Sequence, residues 1–503
     1  MTETTGKRDG TGRRSSAGER TQTALLKLGS AEFISRACGL LRSIVVWRTL
    51  GPQLMGAALP MIIIADFLDR VFSLHPSMVI VQDKQGGSGH YRRTLQTIIA
   101  VRGIILGIAI IVLAIPLAVL NELDDSPWYV AAFMVIGLVP MIRGFAHIDV
   151  QRRYRKREFG PLAQVQIWRE VGSLVTAVVL CLVLTSFWIP ILVRVNAAII
   201  LVFLTFKLAR RPYQFGWNKQ DAIRILLFIA PLIVAGLIVF LSVQGPKQLV
   251  SSAGFLFGQF EFTKVDLAIL SNALMFAIIP AGIGGRLIQG PWSPKLASLR
   301  DEPERFGASF AVMQRFAYSV SMATLILIGP GTIWIVALYG ESYAAAGPIV
   351  TVLAFRTALK LGGAGTRCAM LSLGKSKYVM IMNLGGLIGP LGAAWVILKG
   401  GTLIEIAYWI TLSEVLSFVT GNLLVKRTMK QLRLSDIWLV PLVLITAGAG
   451  ILFLEMALIN GMNHYLAILL VSIVACGSLG ACMVAFPQIR PGRIKRRAAA
   501  GGD

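Results

Sequence analysis

Charge is what this sequence has little of. Charged residues make up 15% of its 503 positions, against about 25% in ordinary soluble proteins. Acidic residues are the scarcer sign, 25 Asp+Glu beside 49 Lys+Arg. That balance excludes a typical soluble globular protein. Cysteine is sparse too: Cys38, Cys181, Cys368, Cys476 and Cys482 all lie in apolar stretches, with no CxxC pair. Neither a disulfide framework nor a zinc site is indicated, and the five read as small buried hydrophobes. No GxxxxGKS/T phosphate-binding loop occurs, so the chain does not read as an ATPase, and no cofactor or metal is called for. Residues 1–23 mix Thr, Ser, Gly and Arg with a few acids and lack the cleavage pattern of a secretory signal. They read as a disordered cytoplasmic tail.

What is present is apolar sequence, 55% of the chain. A bilayer crossing takes about 20 apolar residues, so this supply suffices for a dozen or more. Fourteen candidate spans fall near 22–49, 54–82, 94–120, 128–149, 161–185, 187–209, 223–244, 265–290, 308–338, 345–372, 378–398, 403–425, 437–459 and 464–486. The fold class expected is therefore an all-α polytopic membrane protein with about 14 transmembrane helices. Pro60, Pro116, Pro231, Pro280 and Pro390 fall inside spans and can kink them; Gly362, Gly363 and Gly365 permit close helix approach.

The loops then set the orientation. On one side of the alternating spans, the loops and tails carry 31 Lys/Arg; on the other only Lys247, Lys264 and Lys399 do. Cytoplasmic loops hold the excess of Lys/Arg, which places both termini on the cytoplasmic side of a cytoplasmic (inner) membrane. The runs QRRYRKRE (151–158), KRTMKQLR (426–433) and GRIKRR (492–497) accordingly read as contacts to anionic lipid, not to nucleic acid. From Trp292 to Phe306, charges on one face oppose Leu296, Leu299 and Phe306 on the other, as in an amphipathic helix lying on the inner surface.

Fifteen Lys/Arg remain within the spans. A charge at the bilayer centre costs roughly 2.5–3.5 kcal/mol or more, so such residues face a partner or a wet cavity. Lys27, Arg48, Arg102, Arg194 and Arg224 sit near helix ends, where a long side chain can snorkel. Others have acids or histidines near in sequence: Glu32 with Arg36 and Arg42, Asp66 and Asp69 with Arg70 and His75, Arg143 with His147, Arg169 with Glu170. The i,i+4 spacings suit ion pairs on one helix face. Span 10 is different. Arg356, Lys360 and Arg367 fall within about 40° of one another around a helix, over about 16 Å of rise, and the span holds no carboxylate. Such a stripe either lines water and attracts an anion, or is neutralised by an acid from another span, Glu405 or Glu414.

Two segments suggest a family. Residues 35–56, SRACGLLRSIVVWRTLGPQLMG, resemble the first span of the oligosaccharide-lipid flippases, of the O-antigen/exopolysaccharide transporter type, in the multidrug/oligosaccharidyl-lipid/polysaccharide exporter superfamily. The shared pattern is a Ser-Arg start, a Gly, a second Arg and a Leu-Gly-Pro turn into span 2. LYGESY (338–343) resembles that family's turn between spans 9 and 10, and PAGIGG (280–285) its span 8. The resemblance implies two six-helix lobes, here 24–210 and 211–425, two extra spans within 437–486 and a basic tail, 487–503. It also implies alternating access for a polyprenyl-pyrophosphate-linked oligosaccharide, with a polysaccharide polymerase and assembly proteins as partners. Peptidoglycan lipid-precursor flippases of the superfamily carry cavity arginines at positions matching Arg36, Arg42 and Arg70; their span 8 arginine would fall near Met275 and is not reproduced. The candidate pyrophosphate-binding residues are therefore Arg36, Arg42, Arg70, Arg143, Arg286, Arg356, Lys360 and Arg367. Asp66, Asp69 and Glu170 are candidates for coupling to a sodium or proton gradient. The competing readings are a peptidoglycan-precursor flippase, a cation-coupled drug exporter, and a membrane glycosyltransferase or polymerase. The last has only Asp124 and Asp125 as an acidic pair; no catalytic residue and no enzyme is expected.

Overall fold

Gly51 decides how the first helix is built. Its φ of 68° and ψ of 176° are open to glycine and costly for other residues, and Pro52 follows it. Helix α1 (Gly12–Val71) therefore turns at this point into two helical pieces, the Leu-Gly-Pro turn anticipated from the sequence. The computed structural model describes residues 12–429 apart from 73–75, 77, 78, 81, 82, 157 and 260, and backbone only for 12–32, 70, 71, 84, 231, 232, 235, 291, 294 and 376. Spans 13 and 14, residues 1–11, the basic tail, His75 and the Arg70 side chain lie outside the described residues, while 12–23, expected as part of a disordered tail, form the start of α1.

The described helices follow the expected spans closely: α2 (Gly89–Val112), α3 (Ala114–Leu120), α4 (Pro127–Gly144), α5 (Asp149–Arg155), α6 (Gly160–Val183) and α7 (Trp188–Lys207). They continue with α8 (Lys219–Ser251), α9 (Ala253–Phe257), α10 (Lys264–Ser298), α11 (Pro303–Ile328), α12 (Gly331–Tyr339) and α13 (Ala346–Gly362). The last are α14 (Ala364–Ser372), α15 (Ser376–Leu384), α16 (Ile388–Leu398) and α17 (Leu403–Thr428). Among the described residues there is no strand, and nine helices are long and apolar enough to cross a membrane. The protein is an all-helical, multi-pass membrane protein. Expected span 3 is broken between α2 and α3 because Pro116 has no N–H for the carbonyl of Val112; there it occupies the first turn of α3, where a missing donor is harmless. Pro390 sits likewise in the first turn of α16.

One expectation is corrected. The segment 292–306 is not a separate surface helix: α10 runs on to Ser298, a turn follows, and α11 begins at Pro303. Leu296 is fully buried and Phe306 nearly so, packed with Phe310, Met313 and Cys368. The apolar face seen in the sequence is covered by protein, not by lipid.

The chain forms two compact units. The first comprises Met1–Leu50, Met61–Val119 and Leu123–Val234; the second comprises Gly51–Pro60, Leu120–Glu122 and Ala235–Asp503. In the first, Met61, Ile64, Ile110, Phe133, Ile136 and Ile191 form a buried core. Helices α2 and α4 cross closely because they meet at glycines: a Cβ on Gly103 would stand 2.5 Å from Pro140 O, and one on Gly107 would strike the Met141 side chain and lie 2.6 Å from Gly137 O. Outward faces stay apolar, with Ile105, Val112, Leu182 and Phe203 exposed, as a lipid environment requires.

One end of the first unit is held by buried polar groups. Gln96 Nε2 donates to Ala146 O and to Tyr213 Oη, both at 3.1 Å, and its Oε1 accepts from Ile148 N. His147 Nδ1 accepts from Asp149 N at 3.1 Å, so its Nε2 carries the proton and donates to Arg211 O at 3.0 Å. Asp149 accepts from Arg152 Nε and from Arg210 N. Burial pushes the His147 imidazole below its ordinary 6.5. Burial alone would raise Asp149, but the Arg152 and Arg210 hydrogen bonds hold it below its ordinary value.

Two outcomes follow. Gly107→Val destabilises the protein by about 1–3 kcal/mol through overpacking, read as a lower unfolding midpoint of purified protein in detergent. Because the unfolded chain binds a proton at His147 more readily than the folded one, the stability it lends is present above 6.5 and is lost as pH falls below that value. The midpoint therefore drops between about pH 7.5 and about pH 5.5, and His147→Gln flattens that drop.

Candidate functional site

The second unit holds the span 10 cations on two short helices. Arg356 and Lys360 sit one turn apart on α13, and Arg367 follows on α14 after the break at Gly363. Side chains hold α13 in place: Thr357 Oγ1 donates to Ala277 O at 2.8 Å, Gln314 Nε2 to Gly362 O at 2.7 Å, and Ser321 Oγ to Ala358 O. Glu414 of α17 enters among the cations. Its Oε1 lies 3.4 Å from Arg367 Nη2 and its Oε2 lies 4.0 Å from Arg356 Nε. Arg367 Nη2 also donates to Lys360 O at 3.0 Å. The Arg356 and Glu414 side chains are only 8% and 10% exposed.

The stripe is thus neither bare nor neutral. Of the two acids weighed from the sequence, Glu414 is the one ion-paired with it, and it is a single carboxylate beside three cations. Arg356 Nε is buried and makes no hydrogen bond among the described residues. Removing a guanidinium from water costs several kcal/mol unless its protons are matched. Chemically, the cluster has donors and positive charge to spare, and suits an oxyanion able to accept from a planar guanidinium fork.

The first unit repeats the logic with more acids. Asp66 Oδ1 accepts from Arg194 Nη1 at 2.6 Å. Asp69 pairs with Arg143 of α4 and, at 3.6 Å, with Arg102 of α2. Arg102 Nη2 also donates to Asp69 O at 3.2 Å, satisfying one of the last carbonyls of α1. Glu170 of α6 bridges Arg42, at 2.8 Å, and Arg169, at 2.6 Å. Five arginines meet three carboxylates in these pairs.

Several expectations change. Arg102 and Arg194 do not snorkel; they are pulled inward because Asp66 and Asp69 on α1 need partners of opposite charge. Asp66 reaches another helix, α7, for its described partner. Arg143 reaches Asp69, while His147 belongs to the polar network at the end of the unit. Of the remaining candidates, Arg36 and Arg286 are exposed. The three carboxylates proposed for ion coupling are each ion-paired. Asp124 and Asp125 are exposed in the turn before α4. Reading the sequence missed the roles of Arg102 and Arg194; the signal available was that carboxylates within spans demand partners.

Several solved structures share this fold. The lipid II flippase MurJ, in an inward closed conformation, matches with a TM-score of 0.70 at 11% identity, over 92% of this chain and 99% of that one. An inward-facing multidrug resistance MATE family transporter of the MOP superfamily matches at 0.62 and 14% identity, over 82% and 100%. An outward-facing MATE family transporter of that superfamily matches at 0.50 and 15% identity, over 82% and 96%. At such identities the likeness is one of fold. The fold is that of a multi-pass, all-helical membrane protein, shared with these structures. Residues 45–348 match the family model described as polysaccharide biosynthesis protein, and the chain belongs to that family. No curated protein matches the sequence.

The cluster around Glu414 makes a direct prediction. Glu414→Gln leaves the buried Arg356 and the half-buried Lys360 and Arg367 uncompensated and costs about 3–5 kcal/mol of stability. Adding Arg356→Gln restores part of that loss, a non-additivity measured by a double-mutant cycle in unfolding experiments.

Proposed function

We propose that this protein is a flippase that moves a polyprenyl-pyrophosphate-linked oligosaccharide across the cytoplasmic membrane by alternating access, for synthesis of a cell-surface polysaccharide, with both termini in the cytoplasm. The observation that carries the reading is the excess of cations over acids within the spans: Arg356, Lys360 and Arg367 around the single carboxylate of Glu414, and five half-buried arginines with three carboxylates in the first unit. A cation-exporting drug transporter needs the opposite polarity. A pyrophosphate presents several oxygens to guanidinium forks, and membership in a polysaccharide biosynthesis family supports a glycan as the attached cargo.

In this reading Arg356, Lys360 and Arg367 hold the pyrophosphate in the second unit. Arg36, Arg42, Arg70 and Arg143 hold it in the first, and Arg286 meets it on the exposed face of α10. The carboxylates have a second task. While the site is empty they keep the arginines from standing uncompensated. When pyrophosphate takes an arginine, its former partner, Asp66, Asp69 or Glu170, is left to bind a proton or sodium ion, which links substrate movement to an ion gradient. Transport rather than bond making is the chemistry such pairs support, since none of them holds a nucleophile beside a base. A polysaccharide polymerase acts on the product, outside this chain.

The peptidoglycan-precursor reading keeps one supporting observation, the fold shared with a lipid II flippase. Reconstitution separates the two. Wild-type protein in liposomes translocates lipid-linked oligosaccharides, and the Arg356→Ala/Lys360→Ala/Arg367→Ala variant, still inserted, does so at least about tenfold more slowly, a loss of about 1.4 kcal/mol of stabilisation. Translocation of lipid II alone assigns the peptidoglycan branch, and an unaffected triple variant removes the span 10 site from the mechanism.

A further inference from the structure

Apart from the buried ion pairs, the first unit carries a pocket of about 310 Å³ where α2 begins, lined by Arg92, Arg93, Gln96, His147, Asp149 and Arg211 among others. Most of its polar groups are already committed. Both ring nitrogens of His147, both oxygens of Asp149 and both ends of the Gln96 amide are taken by the hydrogen bonds described above. The guanidinium groups are not. Arg92 spends Nε on Ser88 O at 3.1 Å. The side chains of Arg93 and Arg211 make no hydrogen bond, and none of the three arginines has an ion pair among the described residues. The first turn of α2 contains no acidic residue either, so its exposed N–H groups add to the positive field.

The surroundings say where the charge faces. The strand of chain that carries Arg211 is strapped along α2. Thr97 Oγ1 donates to Gly216 O at 2.9 Å, and Asn218 N donates to Thr94 Oγ1 at 3.1 Å. This strap exposes Phe215 by 54% and Trp217 by 66%. Gly216 of the strap also lies against the Arg93 side chain, where an added Cβ would stand 2.9 Å from Arg93 Cβ, so the aromatic strap sits beside the arginines. Exposed aromatic rings beside cations match the composition of a bilayer surface, where rings settle at headgroup level and Lys/Arg attract anionic lipid.

We propose that this pocket is a binding site for the phosphate of an anionic phospholipid headgroup, clamped by Arg92, Arg93 and Arg211, with Phe215 and Trp217 seated at headgroup level beside it. The site is separate from the buried pairs around Glu414 and Glu170 and does not depend on the flippase reading. A lipid phosphate held there ties the start of α2, the α4–α5 junction and the α7–α8 strap to one point on the membrane face.

The test uses the full-length protein purified in neutral detergent and titrated with phosphatidylglycerol, bound lipid being counted by native mass spectrometry. Wild type retains phosphatidylglycerol in preference to phosphatidylcholine; Arg92→Gln/Arg93→Gln/Arg211→Gln binds it at least about tenfold more weakly. Should the triple variant not fold, Arg211→Gln alone, exposed at the pocket edge, is expected to weaken binding about threefold. Equal retention by wild type and the folded variants overturns the proposal. So does displacement of the phospholipid by millimolar inorganic phosphate, or by polyprenyl diphosphate at equal concentration, since either assigns the pocket to a different phosphate. Failure of the transport assay leaves this outcome untouched, and failure here leaves transport untouched.

Discussion

The interaction on which the charged interior of this protein depends is the pairing of arginines with too few carboxylates. Hydrocarbon makes a bare charge expensive, and three acids each gather two arginines: Glu414 faces Arg356 and Arg367, Asp69 faces Arg102 and Arg143, and Glu170 faces Arg42 and Arg169. The pairs join helices that are distant in sequence, α1 with α4, α6 and α7, and α13 with α17. They fix helix positions as well as charge. Replacing such pairs by apolar residues of equal size often costs a protein nothing, so retained excess charge is better explained by a ligand than by stability.

That excess separates two roles for positive charge in the same chain. Loop cations suit the membrane surface, and the proposed cytoplasmic termini follow from their uneven distribution. Buried cations face acids, and it is the unmatched remainder of their charge that fits a pyrophosphate. In the proposed mechanism the pairs also give a physical reason for release: an arginine that has a carboxylate to return to holds its substrate less tightly than one with no alternative. Carrier function needs that moderation, because a site that binds without competition does not let go.

Much of the helical layout was legible in the sequence because hydrophobic length leaves little freedom in a bilayer. Ten of the spans expected between residues 54 and 425 begin within a few residues of observed helices, and the Leu50–Pro52 turn falls at Gly51, the residue with positive φ. The site was legible only in part. The cation stripe of Arg356, Lys360 and Arg367 stood out, but which distant acid would answer it was a choice between Glu405 and Glu414 that only tertiary packing decides. Arg102 and Arg194 looked like end-of-helix snorkels because sequence gives depth along a helix, not the direction a side chain turns. The 292–306 segment misled for a related reason. An apolar stripe looks the same whether lipid or a neighbouring helix covers it, and in this protein Phe310, Met313 and their neighbours do.

Recognition of the pyrophosphate of a lipid-linked glycan by the arginines within the spans is tested most directly by equilibrium binding. Purified protein is titrated with a polyprenyl-diphosphate oligosaccharide and with the same glycan on a neutral polyprenyl linkage. At least about a hundredfold preference for the diphosphate, some 2.7 kcal/mol, is expected. Equal affinity for the two would contradict it.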